Sequence, residues 1–438
     1  MAYDIVVGRD EADLKEFGKK GTIYIGRGYV KMGQVTSLSN RILLDVNRSH
    51  VILISGKRGS GKSYSGGVIA EEISNLPEEL AKNISVLIFD TMGIFWTMKY
   101  ENEKDEKLLD EWGMKPKGLD VNIYTPAGFY KKYKDEGIPT DFSFTIKPNE
   151  LNASDWANVF GINLNDPVGI IIEKAIDNLK GKDYDIEDII KEIKNETTVS
   201  YDARNAAENR FNAVKNWGLF GREGFKISEI IKPGEVSIID ISCYTYVAGN
   251  WSIKALVIGL ICRKLLVERM AARKEEEFEA LKQRVSIFEE LPERKYPLLW
   301  IFLDEAHEFL AKEGTTPATD ALVQLLREGR QPGISLVLAT QQPGEIHKDV
   351  LTQSDLVISH RLTAKPDIEA LNVMMQSYLI KDLQQYLNDL PDLKGSAIIL
   401  DDNSERIYPM RVRPRFSWHG GEAPSVLRKK RELDLGLE

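Results

Sequence analysis

The run Val51-Ile-Leu-Ile-Ser55, followed at once by Gly56-Lys57-Arg58-Gly59-Ser60-Gly61-Lys62-Ser63, constrains the fold more than any other stretch of this chain. An apolar strand feeding a glycine-rich turn and then an amphipathic helix, Tyr64 to Ser74, is the phosphate-loop arrangement. The glycines let backbone N–H groups converge on phosphate oxygens, and the helix start adds its positive end. Lys62 is placed to reach the β and γ phosphates and Ser63 to ligate Mg2+. Gly56, Arg58, Gly59, Ser60, Gly61, Lys62, Ser63 and Tyr64 form the candidate nucleotide-binding set. A glycine-rich turn without a ligand is the alternative, which the strand before and the helix after disfavour.

The rest of the chain repeats the pattern. Val86 to Asp90, Val236 to Asp240, Leu298 to Asp304, Ser335 to Thr340 and Leu356 to Ser359 are short Val, Ile and Leu runs without polar alternation, as expected of strands covered on both faces. Longer helical patterns separate them, so an α/β core with a mostly parallel sheet is expected. The 438 residues allow two or three domains, or one large domain with an insertion. Cys243 and Cys262 lie in apolar stretches without CxxC spacing, which speaks against a zinc knuckle or a disulfide scaffold. No apolar run approaches a membrane span and no signal-peptide pattern opens the chain, so a cytoplasmic protein is expected. A net charge of −9 argues against a uniformly basic nucleic-acid-binding coat but leaves room for a local basic strip.

Three further elements carry chemistry. Leu298-Leu-Trp-Ile-Phe-Leu ends in Asp304-Glu305, a pair suited to holding Mg2+ (Asp304) and polarising an attacking water (Glu305). Asp304 capping the following helix is the alternative. Ser335 to Thr340 ends in Gln341, whose amide can touch the γ phosphate or the water. Arg327 and Arg330, in Leu-Leu-Arg-Glu-Gly-Arg just before that strand, are candidates for an arginine entering a neighbouring subunit's site, Arg330 foremost. The alternative is a pair of surface arginines closing a helix. The residues Asp304 to His307 spell DEAH, yet about 130 residues remain after them, too few for the second core of a two-lobed helicase. His307 is therefore expected as a helix residue near the site.

With these elements in order, the chain resembles the HerA/FtsK superfamily of ring-forming DNA pumps, and within it the HerA-like helicases. The resemblance rests on residues 56–63, Ile88-Phe-Asp90 with Gly93, Ser237 to Ser242, 298–310, 325–343, Ser354 to Leu362 and 414–421. It implies a RecA-like P-loop NTPase core that hydrolyses ATP with Mg2+. Lys62 and Ser63 would be the phosphate and metal groups, Asp304 and Glu305 the acidic pair, Gln341 the sensor and Arg330 the finger. It further implies a homo-oligomer, a hexamer around double-stranded DNA, with a NurA-like nuclease as a possible partner in end processing or defence. The expected organisation is a small N-terminal β-rich element at 1–48, a core at 49–126 and 233–395, a helical insertion at 127–232, and a C-terminal hairpin and bracing tail at 396–438. Family members usually carry a full β-barrel before the phosphate loop; only 55 residues precede Gly56, so a reduced barrel is expected. DNA contact is expected from the loops carrying Lys312 and Lys348. A conjugation or packaging pump, or a nucleotide-gated assembly module, is the competing function.

Overall fold

The computed structural model describes residues 3–32, 35–247, 249–283, 296–374 and 383–421. Thirteen strands join in one sheet: β1 Ile5–Val7, β2 Thr22–Met32, β3 Val35–Asp45, β4 Val51–Ser55, β5 Ile84–Asp90, β6 Val121–Pro126, β7 Phe142–Phe144, β8 Val236–Asp240, β9 Leu298–Leu303, β10 Ile334–Thr340, β11 Leu356–His360, β12 Ser396–Asp401 and β13 Arg406–Val412. Their order is β1-β3-β2-β13-β12-β11-β4-β10-β9-β5-β8-β6-β7. Every neighbouring pair from β11 to β7 is parallel, and this stretch contains all six strands expected from the apolar runs.

Both faces of the parallel stretch are covered, which is why its strands lack polar alternation. On β9, Leu299, Ile301 and Leu303 enter one apolar layer and Trp300 and Phe302 the other. The first layer is closed by the helix Asn250–Gln283 through Ile253, Leu256, Val257 and Leu260. The second is closed by the helix Lys62–Ser74 through Val68, Ile69 and Ile73. The first half of the Asn250–Gln283 helix is apolar and packs on the sheet, and its charged second half follows.

The sheet also runs on where sequence reading placed a separate N-terminal element. β13 pairs antiparallel with β2, Met410 opposite Gly28, so the N-terminal hairpin and the C-terminal hairpin extend one continuous sheet. Between β7 and β8, the helices Ala153–Phe160, Pro167–Leu179, Ile186–Asn195 and Tyr201–Lys215 pack around Trp156, whose ring lies 4.9 Å from Phe211 and 5.3 Å from Phe220. Within the span expected to be helical, β7 pairs with β6 as the sheet's edge strand. The tail at 422–438 lies outside the described residues.

Candidate active site

The C-terminal ends of the parallel strands share one edge, where ligands bind in open α/β sheets. Ser55 pairs with Thr340 on one side and Ser359 on the other, and Leu338 pairs with Leu303. Gly56, Gln341 and Asp304 therefore leave the sheet side by side, with His360 closing β11. The tertiary structure brings together four segments from across the chain.

The phosphate loop has the backbone that its glycines permit. Gly59 and Gly61 adopt φ of +74° and +112°, left-handed values that a side chain would strain. Gly61 caps the Lys62–Ser74 helix without any side-chain bond, so the first-turn N–H groups have no side-chain acceptor. The Ser60 hydroxyl is buried without a hydrogen-bond partner among the described residues. Uncapped donors and an orphaned hydroxyl around a glycine turn fit a phosphate ligand. Lys62 is 6% exposed and its Nζ donates to the Lys57 carbonyl at 3.3 Å. Burial lowers its pKa, while Glu305 and Asp304 pull it back up. Arg58 is exposed.

Ser63 Oγ donates to Asp304 Oδ2 at 2.5 Å, although the two lie far apart in sequence. The other Asp304 oxygen accepts the Glu305 N–H at 2.9 Å. A hydroxyl and a carboxylate in contact beside a phosphate cradle suit Mg2+, which takes few protein ligands and shares phosphate oxygens. Asp304 begins no α-helix; a 3-10 turn, Ala306–Glu308, follows Glu305.

Glu305 has φ of +51°, one of two non-glycine residues with positive φ among those described. Its Oε1 accepts from the Gln341 amide, and its Oε2 is buried without a hydrogen-bond partner among the described residues. Burial, and then the Asp304 charge, raise the Glu305 pKa above the usual carboxylate range. His307 lies close by, Nδ1 3.2 Å from Thr340 Oγ1 and 3.7 Å from Glu305 Oε2.

The two arginines differ. Arg327 Nε donates to Asp349 at 2.7 Å, whereas exposed Arg330 makes no ion pair among the described residues. The loop carrying Lys312 lies against the segment that leads into Lys348, the first residue of the helix Lys348–Gln353: Ala311 bridges Ile346, and the Lys312 N–H donates to the Glu345 carbonyl at 2.8 Å.

Tyr64 is engaged by the C-terminal segment. Its hydroxyl accepts the Arg415 N–H at 2.6 Å, and its ring meets His419 edge-on at 5.2 Å. Two turns further, fully buried Glu71 accepts from Arg413 Nη1 and Nη2 at 3.1 Å each, Arg415 Nε at 2.9 Å, and the Ser417 N–H at 3.1 Å. Residues 413–417 are thereby locked to the phosphate-loop helix. The Arg415 guanidinium approaches so closely that a Cβ at Gly67 would sit 2.4 Å from Nη1.

Sequence reasoning missed three parts of this edge: the Glu71 lock, His360 beneath the loop, and the buried carboxylates Asp90 and Asp240. Asp90 accepts from the Gly93 N–H at 2.7 Å and the Phe95 N–H at 2.7 Å, which fixes the loop after β5. Burial and then Asp240 push its pKa up to about 7. Asp90, Asp240 and His360 close apolar strands within runs that carry the family resemblance, yet the sequence assigned them no role, and Glu71 mid-helix lies in none of those runs.

Residues 30–265 match the family description "Helicase HerA, central domain", and residues 283–404 match "Helicase HerA-like C-terminal". The chain is 28% identical to the DNA double-strand break repair helicase HerA of Pyrococcus furiosus, over 45% of this chain and 38% of that protein. It is 24% identical to the probable DNA double-strand break repair helicase HerA of Methanocaldococcus jannaschii, over 86% of this chain and 76% of that protein. The solved structure of VirB4 of Thermoanaerobacter pseudethanolicus superposes with a TM-score of 0.55 at 11% identity, covering 91% of this chain and 98% of that one, a likeness of fold. The HerA central description covers more than half of the residues, and the loop, acidic pair and strand-end glutamine stand together on one sheet edge; the chain belongs to the HerA helicase family of P-loop ATPases.

Proposed function

We propose that this chain is the motor subunit of an ATP-driven, ring-forming double-stranded DNA translocase that works with a nuclease in end processing. The observation that carries the reading is the convergence of Lys62, Ser63, Asp304, Glu305 and Gln341 at one strand edge. Relatives named as double-strand break repair helicases favour DNA as the substrate.

In this reading Lys62 and the first-turn N–H groups hold the triphosphate, with Gly56, Arg58, Gly59, Ser60 and Gly61 forming the cradle and Tyr64 backing it. Ser63 and Asp304 hold Mg2+, which would neutralise charge on the β and γ phosphates. Glu305 takes a proton from the attacking water through its partnerless Oε2, and its raised pKa makes it the stronger base. Gln341 holds Oε1 and so senses the state of Glu305. Arg330, exposed and without an ion pair among the described residues, is the arginine offered to a neighbouring subunit; Arg327 is engaged by Asp349. Lys312 and Lys348, on adjoining segments, would grip phosphates of DNA in the ring's centre, a hexamer multiplying each charge around the pore. The domain bounds read from sequence stand as part of this proposal, with the C-terminal hairpin and tail at 396–438 as the brace on the adjacent subunit. No helix among the described residues is long and apolar enough to cross a membrane.

The test is steady-state ATP hydrolysis with and without linear double-stranded DNA, for the wild type and Glu305→Gln, with particle mass measured in parallel. A DNA-stimulated rate lost in Glu305→Gln, in a particle of several subunits, is expected. Hydrolysis indifferent to DNA would overturn the translocase and favour a nucleotide-gated assembly module.

A further inference from the structure

The loop that would hold the triphosphate rests on a histidine outside its motif. His360 is the last residue of β11, the strand beside β4, and is fully buried. A Cβ on Gly56 would lie 2.8 Å from His360 Cβ, and one on Gly61 would lie 3.5 Å from its Cε1. Both ends of the loop therefore pack on this one side chain. The next residue adds a backbone tie, the Arg361 carbonyl accepting the Lys57 N–H at 3.1 Å.

The ring's hydrogen bonds settle its tautomer. Nδ1 is 3.0 Å from the Ser396 carbonyl, which only accepts, so Nδ1 carries the hydrogen. In the neutral ring Nε2, 2.8 Å from Ser65 Oγ, is then the acceptor, and the Ser65 hydroxyl donates to it in preference to the Gly61 carbonyl at 3.1 Å. Ser65 is in the first turn of the phosphate-loop helix and Ser396 is the first residue of β12. One neutral imidazole thus bridges the C-terminal hairpin and the helix start that presents N–H groups to phosphate. Burial, helped by nearby Lys62 and opposed by the Ser396 carbonyl, pulls the His360 pKa down to about 4, so the ring stays neutral beside the lysine.

We infer that His360 is a positioning residue for nucleotide binding, fixing the phosphate loop between the Ser396 carbonyl and the Ser65 hydroxyl so that the cradle is formed before the triphosphate arrives. The inference rests on the reading of residues 56–63 as the triphosphate site. A preformed cradle lowers the ordering cost of binding. Its loss weakens the ground state and the transition state together, which raises KM and leaves kcat nearly untouched.

The experiment measures Mg2+ and N-methylanthraniloyl-ATP binding, together with steady-state ATP hydrolysis, on the full chain. The variants are His360→Phe, His360→Gln, Ser65→Ala, the His360→Phe/Ser65→Ala double and Lys62→Ala. His360→Phe keeps ring volume and loses both bonds; an affinity loss on the order of tenfold is expected, with kcat within about twofold. His360→Gln places an amide oxygen near the position of Nε2 and should regain most of the affinity. Ser65→Ala should also weaken binding, and the double variant should be little worse than His360→Phe alone, because His360→Phe has already broken the Ser65 bond. Additive losses, a fall in kcat without a change in KM, or wild-type affinity in both His360→Phe and Ser65→Ala would overturn the inference. Should His360→Phe fail to fold, Ser65→Ala and His360→Gln carry the test alone. Lys62→Ala separates the two claims: unaltered binding in that variant would mean that the phosphate-loop reading itself is wrong.

Discussion

Removing the Glu71 carboxylate tests the lock between the phosphate-loop helix and the segment that follows β13. Glu71 is fully buried and accepts from two fully buried arginines and from the backbone and hydroxyl of Ser417. Glu71→Ala leaves the Arg415 guanidinium without a carboxylate, while Arg413 keeps Glu72, 3.0 Å from its Nε. Breaking a buried pair by deleting one partner costs about 3–5 kcal/mol, and the remaining Glu72 contact places the loss near 3 kcal/mol. That is a large share of the roughly 5–15 kcal/mol by which a folded protein is stable. Denaturant unfolding should lose stability by that amount, and hydrogen exchange should rise at 413–417 and along the helix Lys62–Ser74. Glu71→Gln, which keeps the acceptor oxygen, should lose less. A Glu71→Ala protein with unchanged stability and unchanged exchange at 413–417 would refute the reasoning, since it would mean that the two guanidinium groups find water or other acceptors at no cost.

At the opposite end of β4, buried His50 donates toward Asp355 at 2.6 Å and Asp45 at 3.2 Å. Burial alone would lower its pKa, but the two carboxylates raise it to about 9 from 6.5. The folded value lies above the unfolded one, so its contribution, about 3 kcal/mol, is complete below pH 6.5 and lost as pH rises through 9. Melting temperature measured from pH 6 to 10 should fall across that window, and His50→Asn should flatten the fall. The raised Glu305 pKa places the acid limb of kcat/KM for ATP hydrolysis above the ordinary glutamate range; a limb at the free-glutamate value would count against Glu305 as the base. Arg330→Ala should reduce hydrolysis in the assembled particle by about a thousandfold while nucleotide affinity holds, if it acts across a subunit boundary. Arg327→Ala takes the partly exposed arginine away from buried Asp349 and should cost more than the roughly 1 kcal/mol of a fully exposed pair, read by denaturant unfolding.

The phosphate loop, the acidic pair and the six central strands were legible from the amino-acid sequence. Each is local: a glycine turn needs its glycines at fixed offsets, and a strand covered on both faces shows as an uninterrupted apolar run. The order of the sheet was not local. β13 against β2 pairs the two ends of the chain, and strands that alternate partly polar residues look alike whether they form a separate element or an extension of the core. The site was legible in its parts but not in its contacts. Only the fold brought Ser63 to Asp304, gave Glu305 a positive φ and a Gln341 partner, and tied Arg327 to Asp349. Glu71 and His360 were decided entirely by tertiary structure. A glutamate in a helix and a histidine at a strand end carry no motif, and their roles arise from the groups that long-range packing places around them: two arginines and a serine for one, two glycines, a hydroxyl and a carbonyl for the other.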